Sequence, residues 1–288
     1  DMPIESKLVS RSIEQAQIRM EGYNFDIRKH VLEYDDVVNK QREVIYRQRR
    51  EILRQKNLRP FVMDIVKEQI SLLVATYAIS GPDGQPDWKG LYNALRSIIP
   101  PDFLPRQVNW DGMSPQEVEE ELHQLAEKVY DETAALMGRE LWNTLVKEGL
   151  TPADFKNSSE PLFQHLYRVM EEELGEENLK EIEGKSFSAL GRSIKERLED
   201  VFKRAIVLHR DRYVMLRTVD SLWIRHLTDL DDLREGIGLR AFGQQDPLIA
   251  FKKEAHEMYE ALMASIRQNI ATGIFYTFIG KPTPTPVR

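Results

Sequence analysis

Histidines and neighbouring carboxylates are the side chains of this chain that could hold a metal ion. His256 and Glu260 stand four residues apart, a spacing that places two side chains on one face of a helix, where both could be metal ligands. A solvated helical pair without a metal has the same spacing and is the favoured interpretation. The sequence therefore predicts no metal site.

Paired carboxylates and sequence motifs give no sign of a catalytic site either. Asp35-Asp36 and Asp231-Asp232 are adjacent in sequence, so the members of each pair point to different faces of a helix. Asp35-Asp36 is therefore interpreted as a packing or polar-contact element. No Walker-type phosphate loop, dinucleotide fingerprint, HExxH motif or nucleophile elbow occurs, and there are no cysteines. We expect no catalytic residue and no bound cofactor in this chain.

A basic run could bind phosphate groups. Residues 40–56 contain seven Lys or Arg and two Glu, which would suit nucleic acid or anionic lipid. The competing interpretation, which we favour, is a solvated face that offsets acidic residues elsewhere. The whole chain carries a net charge of −7, which argues against a generally basic nucleic-acid-binding protein.

The elements that would position these residues are almost all helices. Residues 10–55 contain no proline and a single glycine, Gly22, and apolar or core-compatible residues recur at alternating steps of four and three. This spacing predicts one long helix; its seam is formed by Ile27, Val31, Tyr34, Val38, Gln41, Ile45, Gln48 and Ile52. Shorter helices and a Glu-rich stretch follow from residue 57, and Ser114-Pro115-Gln116-Glu117 predicts a capped helix start. The fold class is all-α.

Two more amphipathic helices predict an antiparallel hairpin near the end of the chain. The first ends at Gly236, and the second begins at Asp246-Pro247, with Asp as the cap. His226 lies three residues before Asp229, so we expect it to make a hydrogen bond inside the hairpin rather than to act in catalysis. The loop between the helices carries Phe242, an aromatic side chain that either contacts a partner or folds back onto a helix.

Three segments of the chain are distinctive: residues 24–42, NFDIRKHVLEYDDVVNKQR, residues 220–227, DSLWIRHL, and residues 239–247, LRAFGQQDP. All three resemble segments of the SecA family, the ATPases of bacterial preprotein translocation. The first segment is long and specific, and all three occur in the family's order and spacing. The resemblance is strong over about residues 5–56 and 205–272 and weaker between them.

The resemblance implies an architecture with four parts. Residues 1–56 would be the long helix of the helical scaffold, and residues 57–203 an inserted helical wing domain. Residues 204–275 would be the two-helix finger of the scaffold, and residues 276–288 a Pro/Thr linker. In the family, the long helix braces two motor domains, and the finger enters the cytoplasmic mouth of the SecY channel.

The resemblance also implies partners and contact residues. Leu239, Arg240 and Phe242 would contact the channel and the unfolded preprotein; the family's usual aromatic at the tip is Tyr. Residues Arg28, Glu33, Asp35 and Asp36 would contact the motor domains. Anionic lipid and a second copy of the chain are further expected partners, nucleic acid is not, and the location would be cytoplasmic and peripheral on the cytoplasmic face of the inner membrane.

The family's ATP site lies upstream of the matching region. We therefore expect this chain to be a fragment that is no enzyme by itself, from a parent that binds ATP and Mg and hydrolyses ATP during protein translocation. The alternative is a free-standing helical adaptor that binds a partner protein without a motor. A Walker motif upstream in the native chain would distinguish the two.

Overall fold

The described part of the chain consists of helices joined by turns and loops, and it contains no strand. The computed structural model describes residues 7–81, 84–105, 108–237 and 246–277, and at residues 7, 8, 26, 27 and 30 it describes the backbone only. The prediction of an all-α fold is confirmed. The α-helices are α1 (Lys7–Arg54), α2 (Arg59–Tyr77), α3 (Trp88–Leu95), α4 (Pro115–Lys147), α5 (Pro152–Lys156), α6 (Pro161–Leu174), α7 (Glu176–Ile182), α8 (Arg192–Gly236) and α9 (Pro247–Ile274), with short 3₁₀ turns at Pro101–Phe103 and Phe187–Ala189.

Helix α1 is the long helix that the sequence predicts. It has 48 residues, which at about 1.5 Å per residue gives a length of roughly 70 Å. Its C-terminal part is packed, since Gln41, Ile45 and Ile52 are buried. The residues from Val9 to Phe25 are exposed. Val31 of the predicted seam is exposed as well, so the described residues cover only part of this seam.

Local capping chemistry sets the helix starts that the sequence predicts. Ser114 accepts a hydrogen bond from the backbone N–H of Glu117, and the Glu117 carboxylate accepts one from the backbone N–H of Ser114. This is a complete capping box at the start of α4. At the start of α9, the Asp246 carboxylate accepts hydrogen bonds from the backbone N–H groups of Leu248 and Ile249. Both predicted caps are confirmed.

The chain divides into two compact units. The first contains Asp1–Arg50 and Ser221–Ala264, and the second contains Glu51–Asp220 and Ser265–Arg288. The division falls within α1, α8 and α9, so these three helices each contribute to both units. The domain boundaries implied by the family resemblance stay a prediction.

The first unit has a small apolar core between the two arms of the hairpin and α1. Its buried members come from the end of α8, the turn after it and α9: Leu230, Ile237, Ala250, Phe251 and Ala255. Tyr34, Val37 and Val38 of α1 pack against them. The hairpin is therefore held on α1 by apolar contacts in the middle of that helix.

The second unit has a larger core, rich in aromatic rings. Phe155, Phe187 and Phe202 are fully buried, with the Phe155 and Phe187 ring centroids 5.4 Å apart. Trp142 of α4 packs on the same rings, 5.8 Å from Phe187. Among the described residues, none of the helices combines the length and the apolar character that crossing a membrane requires.

Candidate functional site

A buried glutamine of α1 bonds to both arms of the hairpin. Gln41 is 8% exposed, and its side-chain Nε2 donates a hydrogen bond to the backbone oxygen of Ala255 in α9, at 3.0 Å. Its Oε1 lies 2.8 Å from Nε2 of His226 in α8. We call this arrangement the Gln41 relay. It joins polar atoms of three helices inside the first unit.

The hydrogen bonds of the Gln41 relay determine which ring nitrogen of His226 carries a hydrogen. A backbone oxygen can only accept, so the amide nitrogen of Gln41 faces Ala255 and the amide oxygen faces His226. His226 therefore carries a hydrogen on Nε2 and donates it to Gln41. Burial lowers the pKa of His226, and the Asp229 carboxylate opposes this shift only in part. The neutral ring is thus the form that the site favours.

The predicted hydrogen bond of His226 inside the hairpin is wrong. Its partner is Gln41, which lies 185 residues away in sequence. Asp229, the residue three positions on, is exposed, whereas His226 is 4% exposed. The ring therefore faces α1, where the seam presents a polar side chain.

Aromatic rings surround His226. The ring centroid of Trp223 lies 5.6 Å from that of His226, and the ring centroid of Tyr259 lies 6.4 Å away. The indole Nε1 of Trp223 is buried and has no hydrogen-bond partner among the described residues. Burial raises the pKa of Tyr259. These apolar surroundings strengthen the two hydrogen bonds of the Gln41 relay because they exclude water.

A second set of contacts joins α1 to the hairpin nearer its loop. Tyr34 packs edge-on against Phe251, with ring centroids 4.8 Å apart. The guanidinium group of Arg234 lies 5.7 Å from the centre of the Tyr34 ring and pairs with the Asp35 carboxylate at 3.0 Å. Asp35 is thus engaged within the first unit. The polar-contact role predicted for it is confirmed.

The other residues predicted to contact motor domains do not form one site with Asp35. Asp36 pairs with Lys40 one turn further on, at 2.8 Å, and both are exposed. The exposed Arg28 donates from Nε to the backbone oxygen of Asn24, at 3.3 Å. Glu33 is half-buried. Contact between these residues and motor domains stays a prediction.

An exposed apolar stripe lies at the start of α1, and the sequence analysis missed it. Val9, Ile13, Ala16, Met20 and Tyr23 follow the same four-and-three spacing as the predicted seam and lie N-terminal to it. We call these five residues the N-terminal stripe. All five are exposed, and the four larger side chains range from 37% at Val9 to 64% at Tyr23. The signal that would have found them is the seam spacing, continued backwards from Ile27.

Two other groups of residues that the sequence analysis considered remain, the hairpin loop and the His256–Glu260 pair. Leu239, Arg240 and Phe242 of the hairpin loop lie outside the described residues. His256 and Glu260 are both exposed on α9. Across the described ranges, no three His, Asp or Glu side chains are grouped so that they could hold a metal ion.

Two comparisons with known proteins, one with family models and one with curated sequences, point to the same family. The family model described as SecA Wing and Scaffold domain matches residues 3–277. The chain is 35% identical over 283 residues to "Protein translocase subunit SecA" of Pelotomaculum thermopropionicum, covering 98% of this chain and 25% of that protein. It is 36% identical over 274 residues to the protein of the same description from Carboxydothermus hydrogenoformans, covering 94% of this chain and 24% of that protein.

The match covers nearly all of this chain but little of each relative. The protein of the same description from Desulforamulus reducens is 35% identical over 284 residues, covering 98% of this chain and 25% of that protein. The chain thus spans about a quarter of the length of the curated relatives it matches. The long helix, the hairpin and the inserted helices all lie within the matched range. This chain belongs to the SecA wing and scaffold domain family.

Proposed function

We propose that this chain is the coupling part of a SecA-type protein translocation motor. In this role α1 receives movements of ATP-driven motor domains and passes them to the hairpin, which engages the SecY channel and the preprotein. The observation that carries the proposal is the Gln41 relay, because one buried side chain bonds α1 to both arms of the hairpin.

The Gln41 relay supports coupling because separating α1 from the hairpin would be costly. Separation would break two buried hydrogen bonds, each of which stabilises the packed state by roughly 0.5–1.5 kcal/mol. Apolar contacts of Tyr34 and Val38 with the hairpin core would be lost as well. The middle of α1 and the two arms of the hairpin therefore move together, and a shift of α1 reaches the hairpin.

The N-terminal stripe supports the other half of the proposal, the reception of motion. Exposed apolar residues that continue a packed seam are typical of a surface that a partner covers. Arg28, Glu33, Asp35 and Asp36 lie between this stripe and the Gln41 relay in sequence. We propose that the parent's motor domains pack on the stripe and reach this charged segment, and that ATP and Mg bind to those domains.

The roles of the hairpin loop and the cellular location follow from the family resemblance. Leu239, Arg240 and Phe242 would contact the translocating chain and the mouth of the channel, with Phe242 supplying an apolar ring. The parent protein would work at the cytoplasmic face of the inner membrane. A Phe in place of the family's usual Tyr keeps the ring and removes one hydroxyl.

Substitution of Phe242 in the full-length parent protein tests the proposal. Translocation of a preprotein into proteoliposomes that contain the SecY channel complex would be measured with ATP. We expect Phe242→Ala to slow translocation several-fold, because the loop loses its apolar contact, while the helical content stays unchanged.

The control is Phe242→Tyr, which keeps the ring and should translocate at close to the parent rate. Circular dichroism and ATP hydrolysis without preprotein would verify that both variants are folded and active as motors. Translocation by Phe242→Ala at the parent rate would contradict a contact role for the loop.

A further inference from the structure

Four basic side chains come together in the second unit, where α6 packs against α8. His165 and Arg168 stand three residues apart on α6, and His209 and Arg212 stand three apart on α8, so each pair shares a helix face. The two helices share one apolar core, to which Leu166, Met170, Phe202 and Ile206 contribute. We call these four basic residues the basic cluster.

The antiparallel packing of α6 and α8 explains the position of the basic cluster. Towards the end of α6, Glu173 pairs with Arg197 near the start of α8, at 3.1 Å. Glu173 also lies 3.9 Å from Arg204, further along α8. His165 lies two turns earlier on α6, which places it level with a point about two turns after Arg204. His209 and Arg212 occupy that level, and both lower the pKa of His165.

The basic cluster lacks the acidic partners found elsewhere along the same helix pair. Glu173 lies close to both Arg197 and Arg204. Within the described ranges, neither Arg168 nor Arg212 forms an ion pair with a carboxylate. Glu172 is close enough to raise the pKa of His165, but burial and the nearby cations outweigh it. The positive charge of the two guanidinium groups is thus compensated only in part.

Hydrogen bonding within the basic cluster is also incomplete. Nε2 of His165 and Nε of Arg212 are buried and have no partner among the described residues. Arg212 is held in place from its other end, since Nη2 donates to the backbone oxygen of Gln55 at 2.6 Å. Burial, followed by the charge of Arg212, lowers the pKa of His209. Leaving polar and charged groups in this state is costly unless a ligand compensates them.

We propose that His165, Arg168, His209 and Arg212 form a binding site for an oxyanion of the phosphate class. Two guanidinium groups match the charge of a phosphate and offer several N–H donors. The donors come from two helices and from both ring and guanidinium nitrogens, which suits a tetrahedral anion better than a planar carboxylate. The inference goes beyond the coupling role proposed above and does not depend on it.

Titration of the 288-residue chain with inorganic phosphate tests the site. Binding would be followed by calorimetry and by the NMR signals of the histidine rings, with sodium chloride at matched ionic strength as the reference. We expect saturable binding that shifts the signals of His165 and His209 and raises their pKa values. Arg168→Gln, which removes an exposed charge, should weaken binding about tenfold, since one charge-assisted hydrogen bond is lost.

A matched control is available on α4. Arg139 is also exposed, on a helix of the same unit, and lies outside the basic cluster, so Arg139→Gln removes the same charge and should leave binding unchanged. His209→Gln provides a second variant within the cluster and should also weaken binding. Equal weakening by Arg168→Gln and Arg139→Gln would indicate an adventitious ion only and overturn the proposal.

A vesicle arm distinguishes the source of the phosphate. Vesicles of phosphatidylglycerol would be compared with vesicles of phosphatidylcholine in a sedimentation assay. Binding of inorganic phosphate in solution would identify the ligand of the basic cluster as a free oxyanion. Binding to phosphatidylglycerol alone, lost in Arg168→Gln and kept in Arg139→Gln, assigns a lipid headgroup. Absence of binding in both arms overturns the site.

Discussion

At the scale of single residues, Gln41 is the side chain on which the junction between α1 and the hairpin depends. We expect Gln41→Leu to lower the free energy of unfolding of the first unit by roughly 2–4 kcal/mol. Leucine fills the space but leaves the Ala255 oxygen and the His226 N–H buried without partners. Urea-induced unfolding, followed by the fluorescence of Trp223 in a variant that lacks the other tryptophans, would measure the loss.

Gln48 provides the matched control for this prediction. It is the second glutamine of the predicted seam, is half-buried on the same helix, and is not part of the Gln41 relay. Gln48→Leu should change the free energy of unfolding by less than about 1 kcal/mol. A double-mutant cycle of Gln41→Leu with His226→Leu should reveal a coupling of about 1 kcal/mol. A loss for Gln41→Leu as small as that for Gln48→Leu would show that the relay contributes little.

At the scale of helices, the sequence predicts what local chemistry controls. The extent of α1 follows from the absence of proline, and the starts of α4 and α9 follow from Ser114 and Asp246, whose cap bonds reach only two or three residues. The partner of His226 could not be predicted in this way, because Gln41 lies 185 residues away and depends on how three helices pack. The basic cluster was missed for the same reason, since its two pairs belong to different helices.

Close packing of α4 on α8 gives a prediction at the helix scale. A Cβ atom at Gly138 would lie 2.8 Å from Cβ of Lys203, a distance that requires one helix to shift. We therefore expect Gly138→Ala to destabilise the second unit by roughly 1–3 kcal/mol, although alanine favours helix formation.

Gly22, in the exposed part of α1, provides a contrast, because a Cβ atom there would meet nothing within 4 Å. Gly22→Ala should stabilise α1 by about 0.5–1 kcal/mol. Thermal unfolding would check both; stabilisation by Gly138→Ala would contradict close packing.

At the scale of the whole molecule, the two units differ in how far they bury their apolar side chains. The second unit buries a ring cluster that includes Phe155, Phe187 and Phe202. The first unit has a small core and leaves the N-terminal stripe exposed. The sequence could predict that all of α1 is amphipathic, but periodicity alone does not say which stretch of a seam is covered within the chain. Which stretch of α1 is covered and which is exposed depends on tertiary packing.

Histidines that are buried in the first unit and half-buried in the second make the stability of the whole molecule depend on pH. Burial lowers the pKa values of His226 in the first unit and of His165 and His209 in the second. These groups are neutral in the folded chain and gain protons more readily when it unfolds, so the unfolded state binds more protons below about pH 6.5. The stability they contribute is complete above that pH and is lost as the pH falls towards the lower folded-state pKa values.

We therefore expect the urea midpoint of unfolding to be lower at about pH 5.5 than at about pH 7.5. The fall should be smaller in a variant with His165→Gln, His209→Gln and His226→Gln, because glutamine does not titrate. His256→Gln, which changes an exposed histidine, should retain the full pH dependence. Circular dichroism at both pH values would measure the midpoints. Protonation of these three histidines can only destabilise the folded chain, because their pKa values are lower in the folded than in the unfolded state. A urea midpoint that rises on acidification would therefore mean that other groups determine the pH dependence.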